Sequence, residues 1–294
     1  MAIEKVYVVG AGLMGSGIAQ VAATAGYRVT MRDINDEALA KGMKAIEKSL
    51  GKFVEKGKVP EDTAKSALAN IKTTTEMKDA ADADLVVEAV FENIDLKLDV
   101  FGQLEEITGP ECLLASNTSA ISITSIASAT KRPEKVVGVH FFSPVPMMML
   151  CEVIYGQQTT DETVAVVKAW AEDVGKDVVV VHKDVPGFVA NRVGLAMSGV
   201  AIDLVASGVA TPQEIDKTMK LGFAHRMGPC ETADLTGIDV LHNAMKAIYN
   251  ETKDERYWPP VLMQRMVTAG LLGRKTGKGF YDYSSGEQVA YWEL

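Results

Sequence analysis

The chain has 294 residues, and at roughly 100–200 residues per domain this length suggests two domains. Hydrophobic residues make up 47% and charged residues 23%, which argues against a disordered chain. The net charge of −9 gives no general attraction to nucleic acid or to an anionic membrane. Since no stretch approaches the ~20 apolar residues that span a bilayer, we expect a soluble cytoplasmic protein with neither partner.

The predicted strands occupy the first part of the chain and alternate with longer helical patterns. They span residues 5–10, 27–33, 84–90, 112–119, 135–142, 151–156 and 177–184. Several are continuously apolar, which is typical of strands buried on both faces of a parallel sheet. The longer connections suit right-handed crossover helices. Residues 1–184 are therefore predicted to form a doubly wound, Rossmann-type α/β domain.

Helical patterns replace the strands after residue 184, where Pro186 and Gly187 mark the break. Helices are predicted over residues 188–205, 230–249 and 259–269. Thr211, followed by Pro212 and Glu214, predicts a capping box at another helix start. The glycine-rich tail predicts a loop with a terminal turn. Residues 185–294 are thus predicted to form a mostly α-helical second domain.

The three cysteines of the chain are widely spaced and form neither a CxxC pair nor a metal-binding pattern. They are Cys112, Cys151 and Cys230. All three lie among apolar or small residues, so we expect buried, reduced thiols and no metal site. Reduced thiols suit a cytoplasmic protein.

A GxGxxG motif directly follows the first predicted strand and opens a helix, the context in which this motif binds a dinucleotide. Its glycines permit a tight turn, a close approach by the pyrophosphate and close packing of helix on strand. The helix N-terminus attracts phosphate. A simple tight turn and a flavin site are the alternatives. The predicted cofactor-binding residues of this motif are Gly10, Gly12, Leu13, Met14 and Gly15.

Asp33 ends the second predicted strand, 18 residues beyond Gly15. A carboxylate there can accept hydrogen bonds from the adenosine ribose diol and would repel a 2′-phosphate. This position favours NAD over NADP. The neighbouring Arg32 keeps NADP open, because an arginine can serve a 2′-phosphate.

His140 is the strongest candidate for a catalytic base. Oxidation of an alcohol needs a base near the hydroxyl group, and histidine as a residue type titrates near neutrality. His140 ends a predicted strand, where ligands of open α/β sheets gather. Glu152 lies in the next strand and is predicted to pair with the imidazole and orient it. A structural histidine beside a solvated acid is the alternative.

Longer runs of the sequence resemble the signatures of the 3-hydroxyacyl-CoA dehydrogenase family. They are HFFSPVPMMMLCEVI (140–154), ASNTSAISIT (115–124), PGFVANR (186–192), IDKTMKLGFAHRMGP (215–229) and LGRKTGKGFYDY (272–283). The matches run in family order over nearly the whole chain, which is about as long as the bacterial 3-hydroxybutyryl-CoA dehydrogenases. The resemblance implies NAD-dependent interconversion of (S)-3-hydroxyacyl-CoA and 3-oxoacyl-CoA, with 3-hydroxybutyryl-CoA and acetoacetyl-CoA as the expected pair.

The resemblance also implies roles for individual residues. His140 would be the general base in oxidation and the acid in reduction, Glu152 would orient it, and Ser119 and Asn191 would hydrogen-bond the substrate oxygen. Further cofactor contacts are implied for Glu92, Lys97, Asn117, Ser119, Ser143 and Lys275, and CoA contacts for Ser49 and Lys56. Without the resemblance, structural interpretations of these residues stay open. Residues 117–119 could form a strand-end turn, Asn191 could lie on a helix surface, and the lysines could be solvated.

The sequence departs from the family pattern after HFF, where Ser143 replaces an asparagine and Met149 a lysine. We expect weaker ligand contacts at Ser143, and methionines 147–149 that fill the core rather than line an acyl pocket. The resemblance further implies a homodimer formed through the C-terminal domain. An L-gulonate-type hydroxy-acid dehydrogenase of the same fold and a catalytically idle NAD-binding protein are the rival functions.

Overall fold

The computed structural model describes residues 3–290 and Trp292, and the chain divides into two compact units, Met1–Val185 and Pro186–Leu294. Within the described residues, no helix is both long and apolar enough to cross a membrane. Cys112, Cys151 and Cys230 are free and buried, as predicted. Burial raises the pKa of Cys112 to about 11, so this thiol stays protonated near neutral pH.

The first unit is a sheet with helices packed against it. Its strands are β1 (Lys5–Val9), β2 (Arg28–Arg32), β3 (Ile71–Thr74), β4 (Leu85–Glu88), β5 (Leu113–Ser116), β6 (Val136–Phe141), β7 (Leu150–Tyr155) and β8 (Asp177–Val181). Its helices are α1 (Leu13–Thr24), α2 (Asp36–Glu55), α3 (Glu61–Ala69), α4 (Ile94–Ile107), α5 (Ile123–Ala127) and α6 (Asp161–Asp173).

The strand order is β3-β2-β1-β4-β5-β6-β7-β8 among the residues described. β4, β5 and β6 are buried at every position, which explains their continuous apolar runs. The order reverses between β1 and β4, and in open α/β sheets ligands bind beyond the carboxyl ends of the strands at such a point. The expected Rossmann-type fold is therefore confirmed.

Two features of the sheet differ from the predicted pattern. β3 was not predicted, because this edge strand reads IKTT and carries no apolar run. β7 runs antiparallel to β6 in the otherwise parallel sheet. The connection over residues 142–149 is too short for a crossover, which takes a dozen or more residues, so the chain returns as a hairpin.

The second unit is mostly helical, as predicted. Its helices are α7 (Ala190–Ala206), α8 (Pro212–Gly222), α9 (Pro229–Thr236), α10 (Ile238–Thr252) and α11 (Val261–Thr268). The capping box at Thr211 and Glu214 is confirmed. The single helix predicted over residues 230–249 is wrong, because the chain breaks at Gly237, whose φ of 107° lies outside the helical region.

The tail of the second unit is more ordered than the predicted loop. It contains two short antiparallel strands, β9 (Tyr281–Asp282) and β10 (Val289–Ala290). The buried carboxylate of Asp234 accepts hydrogen bonds from the backbone N–H groups of Phe280 and Tyr281. These bonds attach β9 to α9, a long-range contact that local composition does not reveal.

Candidate active site

The loop between β1 and α1 has the shape that the GxGxxG motif requires. Gly10 adopts a φ of 108°, and a Cβ atom there would lie 2.6 Å from the carbonyl oxygen of Ala89. A Cβ on Gly15 would lie 1.9 Å from the carbonyl oxygen of Gly10, so the helix packs directly on the turn. Among the described residues, and apart from those adjacent to Gly12 in the chain, no atom lies within 4 Å of the place where Gly12 would carry a Cβ. That open space lets a diphosphate approach the backbone.

The N-terminus of α1 and the end of β2 meet at this loop. Leu13 and Met14 are the first residues of α1, and N–H groups at this end of a helix have no intrahelical partner. Asp33 Oδ2 accepts a hydrogen bond from Ala11 N at 2.7 Å, and its Oδ1 accepts one from Ile34 N at 2.7 Å. The carboxylate is thereby oriented beside the glycine loop, and each oxygen keeps a second lone pair for a ribose hydroxyl. The residues present fit a dinucleotide.

A buried ion pair at the end of β4 was not predicted. Glu88 accepts hydrogen bonds from Lys97 Nζ at 2.7 Å, Ser116 Oγ at 2.6 Å and Val90 N at 2.7 Å. Glu88 and Lys97 are 0% and 1% exposed. The available signal was a charged residue that ends a wholly buried strand, with a lysine nine positions later. Lys97 was expected to contact the cofactor. In the structure its ammonium group is buried and donates a hydrogen bond to Glu88.

Glu92 organises the loop that follows β5. Its Oε1 accepts hydrogen bonds from Thr118 Oγ1 at 2.6 Å, Ser119 N at 2.8 Å and Ala120 N at 3.1 Å, and its Oε2 lies 3.4 Å from Lys97 Nζ. Burial acts to raise the pKa of Glu92, but the Lys97 ammonium and these hydrogen bonds outweigh it and lower the pKa. Glu92 is therefore ionised at neutral pH and clamps the turn containing Ser119.

Asn117 connects this turn to β6. Its Oδ1 accepts a hydrogen bond from the backbone N–H of Phe141 at 2.9 Å, and Asn117 itself is buried. Because Phe141 directly follows His140, the side chain of Asn117 holds the backbone beside the candidate base. Asn117, which follows β5, thus links the ends of β5 and β6 through its side chain. It does more than form an isolated strand-end turn.

His140 and Glu152 are directly opposite each other in the antiparallel register of β6 and β7. His140 Nδ1 lies 2.8 Å from Glu152 Oε2, and Nε2 lies 3.1 Å from Ser119 Oγ. The two side chains are 5% and 1% exposed. When Nδ1–H donates to the Glu152 carboxylate, Nε2 is the ring nitrogen that can accept from the Ser119 hydroxyl. The carboxylate thereby fixes the orientation of the imidazole, whose other nitrogen lies next to Ser119.

The remaining predicted residues of the first unit lie beyond the carboxyl end of β6 and on or next to α2. Ser49 is on α2 and Lys56 caps its C-terminus. Ser143 is exposed directly beyond β6. Met147, Met148 and Met149 are 65%, 41% and 56% exposed, so the expectation that they fill the core is wrong. The short return from β6 to β7 keeps them on the surface.

Two predicted residues belong to the second unit. Asn191 lies in the first turn of α7 and is partly buried. Lys275 Nζ lies 2.5 Å from Asp239 Oδ1 at the start of α10. The assignment of Asn191 to the substrate and of Lys275 to the cofactor stays a prediction.

The Rossmann-type sheet, the glycine loop and a histidine paired with a buried glutamate at the carboxyl end of β6 are the features of a dinucleotide-dependent oxidoreductase. The family model "3-hydroxyacyl-CoA dehydrogenase, NAD binding domain" matches residues 5–185, and "3-hydroxyacyl-CoA dehydrogenase, C-terminal domain" matches residues 187–283. The chain belongs to the 3-hydroxyacyl-CoA dehydrogenase family.

Named relatives match the chain over nearly its full length. A probable 3-hydroxybutyryl-CoA dehydrogenase of Deinococcus radiodurans is 50% identical, over 95% of this chain and 100% of the relative. A 3-hydroxybutyryl-CoA dehydrogenase of Clostridioides difficile is 44% identical, over 95% and 99%. The crystal structure of (S)-3-hydroxybutyryl-CoA dehydrogenase from Ralstonia eutropha is similar with a TM-score of 0.92 and 46% identity, over 96% of this chain and 100% of that chain.

Proposed function

We propose that the protein interconverts (S)-3-hydroxybutyryl-CoA and acetoacetyl-CoA, with NAD(H) as the hydride acceptor or donor. The names of its relatives support the substrate. The observation that carries the proposal is the hydrogen-bonded series from Ser119 Oγ to His140 Nε2 and from His140 Nδ1 to Glu152. It supplies the proton transfer that a 3-hydroxyl group needs when it becomes a ketone.

In the oxidative direction, His140 Nε2 accepts the proton of the 3-hydroxyl group. The ionised Glu152 stabilises the imidazolium that results and holds the ring in one orientation. When bound beside the glycine loop and Asp33, the nicotinamide would supply hydride transfer at C3. In reduction, the protonated Nε2 donates to the forming alkoxide. The Ser119 hydroxyl is expected to turn from His140 to the substrate oxygen, and Asn191 is expected to donate to the same oxygen.

The surroundings of Asp33 favour NAD over NADP. Its carboxylate is oriented beside the glycine loop, where its charge would repel a 2′-phosphate. Arg32, the residue that left NADP open, donates from Nε to the carbonyl oxygen of Thr75 at 3.2 Å. That bond directs the guanidinium toward the backbone beyond β3. Glu92 and Ser143, which follow β4 and β6, are expected to reach the cofactor beyond the carboxyl ends of those strands.

Ser49 and Lys56 are proposed to contact CoA. Ser49 lies on α2 and Lys56 is its C-cap residue seven positions later, about two turns along the same side of the helix end. Lys56 is exposed and its charge suits a CoA phosphate. Their position on one side of the helix end supports a common ligand for the two residues.

The C-terminal unit is proposed to form the homodimer contact. Val193, Val200 and Leu204 of α7 are 66%, 63% and 37% exposed and repeat at seven- and four-residue spacing, so they form one apolar stripe. A second copy of the chain would cover this stripe. Light scattering should give twice the chain mass of 31.6 kDa, and Val200→Glu should shift it toward one chain mass. A cytoplasmic location stays a prediction.

The first experiment is NADH oxidation with acetoacetyl-CoA, beside parallel reactions with free acetoacetate and with NADPH. Turnover that requires both acetoacetyl-CoA and NADH supports the proposal. His140→Ala should lower kcat by at least about 1,000-fold while NADH binding stays within about twofold. The matched control is His182→Ala, which removes an exposed histidine that stacks on Tyr155.

Each negative result of this experiment favours a different alternative. Turnover of free hydroxy acids without CoA would favour the L-gulonate-type rival. No turnover with any acyl-CoA, despite tight NADH binding, would favour an idle cofactor-binding protein. Loss of NADH binding in His140→Ala would show that the histidine serves the fold or the cofactor rather than the proton transfer.

A further inference from the structure

Ser119, His140 and Glu152 are the residue types of a nucleophilic triad, as well as those expected around the base of a dehydrogenase. Ser119 Oγ, His140 Nε2 and Nδ1, and Glu152 Oε2 follow one another at 3.1 and 2.8 Å. His140 and Glu152 are almost fully buried, while Ser119 is partly exposed and open to a reactant. A hydroxyl, an imidazole and an orienting carboxylate in this order make serine attack carbonyl carbons in hydrolases.

A second feature lies beside Ser119. The backbone N–H groups of Ser119 and Ala120 converge on a single oxygen, Glu92 Oε1, at 2.8 and 3.1 Å. Paired N–H donors next to a nucleophile are the elements that stabilise the oxyanion of a tetrahedral intermediate. Here a carboxylate oxygen takes the place of that oxyanion. The Glu92 side chain is 42% exposed, so it can leave this position without unpacking a core.

We propose that Ser119 is an activated nucleophile that transfers acyl groups from thioesters and activated esters to water, and that Glu92 restrains this reaction. The inference rests on the proposed function only for the choice of a CoA thioester as substrate. The chemistry itself needs no nicotinamide. The restraint has a clear use, since hydrolysis at the same site would destroy the thioester that the dehydrogenase reduces.

The reaction balances with the groups present and water. Ser119 Oγ forms a bond to the thioester carbonyl carbon while His140 Nε2 takes the hydroxyl proton. The carbon–sulfur bond then breaks, and the imidazolium gives its proton to the departing thiolate. Water attacks the acyl-Ser119 ester while His140 takes its proton, the bond from the acyl carbon to Ser119 Oγ breaks, and the imidazolium returns the proton to Ser119 Oγ. The products are free CoA and the free carboxylic acid.

The direct test uses the wild-type protein without nicotinamide. It is mixed with p-nitrophenyl acetate, quenched in acid and analysed by intact mass and peptide mapping. We expect one acetyl group on Ser119. Acetoacetyl-CoA is incubated separately, and free CoA is measured by chromatography, which leaves the three protein thiols out of the readout. Labelling confined to other residues, or CoA release no faster than in buffer, would overturn the proposal.

Variants then separate the two parts of the proposal. Ser119→Ala should lower CoA release at least tenfold, whereas Ser125→Ala, which removes an exposed serine of α5, should leave it unchanged. Glu92→Ala should raise the release about tenfold, because it frees the two N–H groups for the oxyanion. In dedicated hydrolases, removal of one oxyanion donor lowers kcat roughly 100-fold or more. Equal release by Ser119→Ala and wild type would refute the nucleophile, and an unchanged rate in Glu92→Ala would refute the restraint.

Reduction of acetoacetyl-CoA by NADH is measured on the same wild-type preparation. Reduction without acylation of Ser119 would overturn only this inference. Acylation of Ser119 without reduction would uphold the nucleophile and remove the proposed function.

Discussion

Lys97 Nζ lies 2.7 Å from Glu88 Oε1, and water is excluded from both side chains. Glu88 ends β4, next to the point where the strand order reverses, and Lys97 comes from α4. Ser116 Oγ and Val90 N supply further hydrogen bonds to the Glu88 carboxylate. A buried charge is tolerated when it is paired in this way, and removal of one partner leaves the other uncompensated.

Lys97→Met should therefore destabilise the first unit strongly. We expect a loss of about 3–5 kcal/mol in the free energy of unfolding, because Glu88 remains buried without its counter-ion. Urea unfolding without cofactor measures the loss. The control is Lys65→Met, which removes the exposed partner of Glu61 and should cost about 0–1 kcal/mol. A loss below about 1 kcal/mol for Lys97→Met would mean that water or another cation reaches Glu88.

Glu152→Gln tests the charge that supports His140. The amide oxygen can still accept the Nδ1 proton, but it does not carry the charge that stabilises an imidazolium. A hydrogen bond to a charged group contributes about 1.5–3 kcal/mol, so kcat for acetoacetyl-CoA reduction should fall roughly 10- to 100-fold. Steady-state kinetics with NADH measures this change.

The matched control for Glu152→Gln is Glu172→Gln, an exposed residue paired with Lys168. Its kcat should equal that of the wild type. A kcat within about twofold of wild type in Glu152→Gln would show that the carboxylate charge does not contribute to the proton transfer.

Asp33→Ser should weaken the discrimination between NADH and NADPH. The serine lacks the charge that repels a 2′-phosphate, and it loses the paired acceptors for the ribose diol. We expect the ratio of kcat/KM for NADPH to that for NADH to rise at least about tenfold, mainly through KM. Asp36→Asn, in the first turn of α2, is the control and should leave the ratio unchanged. A wild-type preference for NADPH would overturn the role given to Asp33.

Glu92→Gln should reveal a pH-dependent contribution to stability. Folding lowers the pKa of Glu92, so its ionised form stabilises the folded state. This contribution is complete above the ordinary pKa of 4.5 and is lost as the pH falls through the lowered folded value. The difference in urea midpoint between wild type and variant should thus be clear at pH 7 and shrink toward pH 3.

Because Glu92 is 42% exposed, the difference at pH 7 is expected to be about 1 kcal/mol or less. Glu47→Gln, an exposed residue of α2, provides the baseline for a surface substitution. A difference between wild type and Glu92→Gln that grows on acidification would contradict the direction of the pKa shift.

Local patterns in the sequence determined much of the architecture. Continuous apolar runs predicted most of the buried strands, because a strand covered on both faces has no polar side. The glycine spacing predicted the turn at Gly10, and the Thr211 capping box predicted a helix start, since both depend on neighbours within a few residues. The place of His140 followed from the rule that ligands bind beyond the strand ends.

Tertiary structure decided the features that depend on distant parts of the chain. The direction of β7 sets His140 opposite Glu152, yet an apolar run is the same whether a strand runs parallel or antiparallel. β3 pairs at the sheet edge with little apolar sequence. The contacts from Lys97 to Glu88 and from Ser119 to His140 join separate elements. Sequence periodicity reports which side of an element is buried, whereas only the packed chain determines which polar groups meet there.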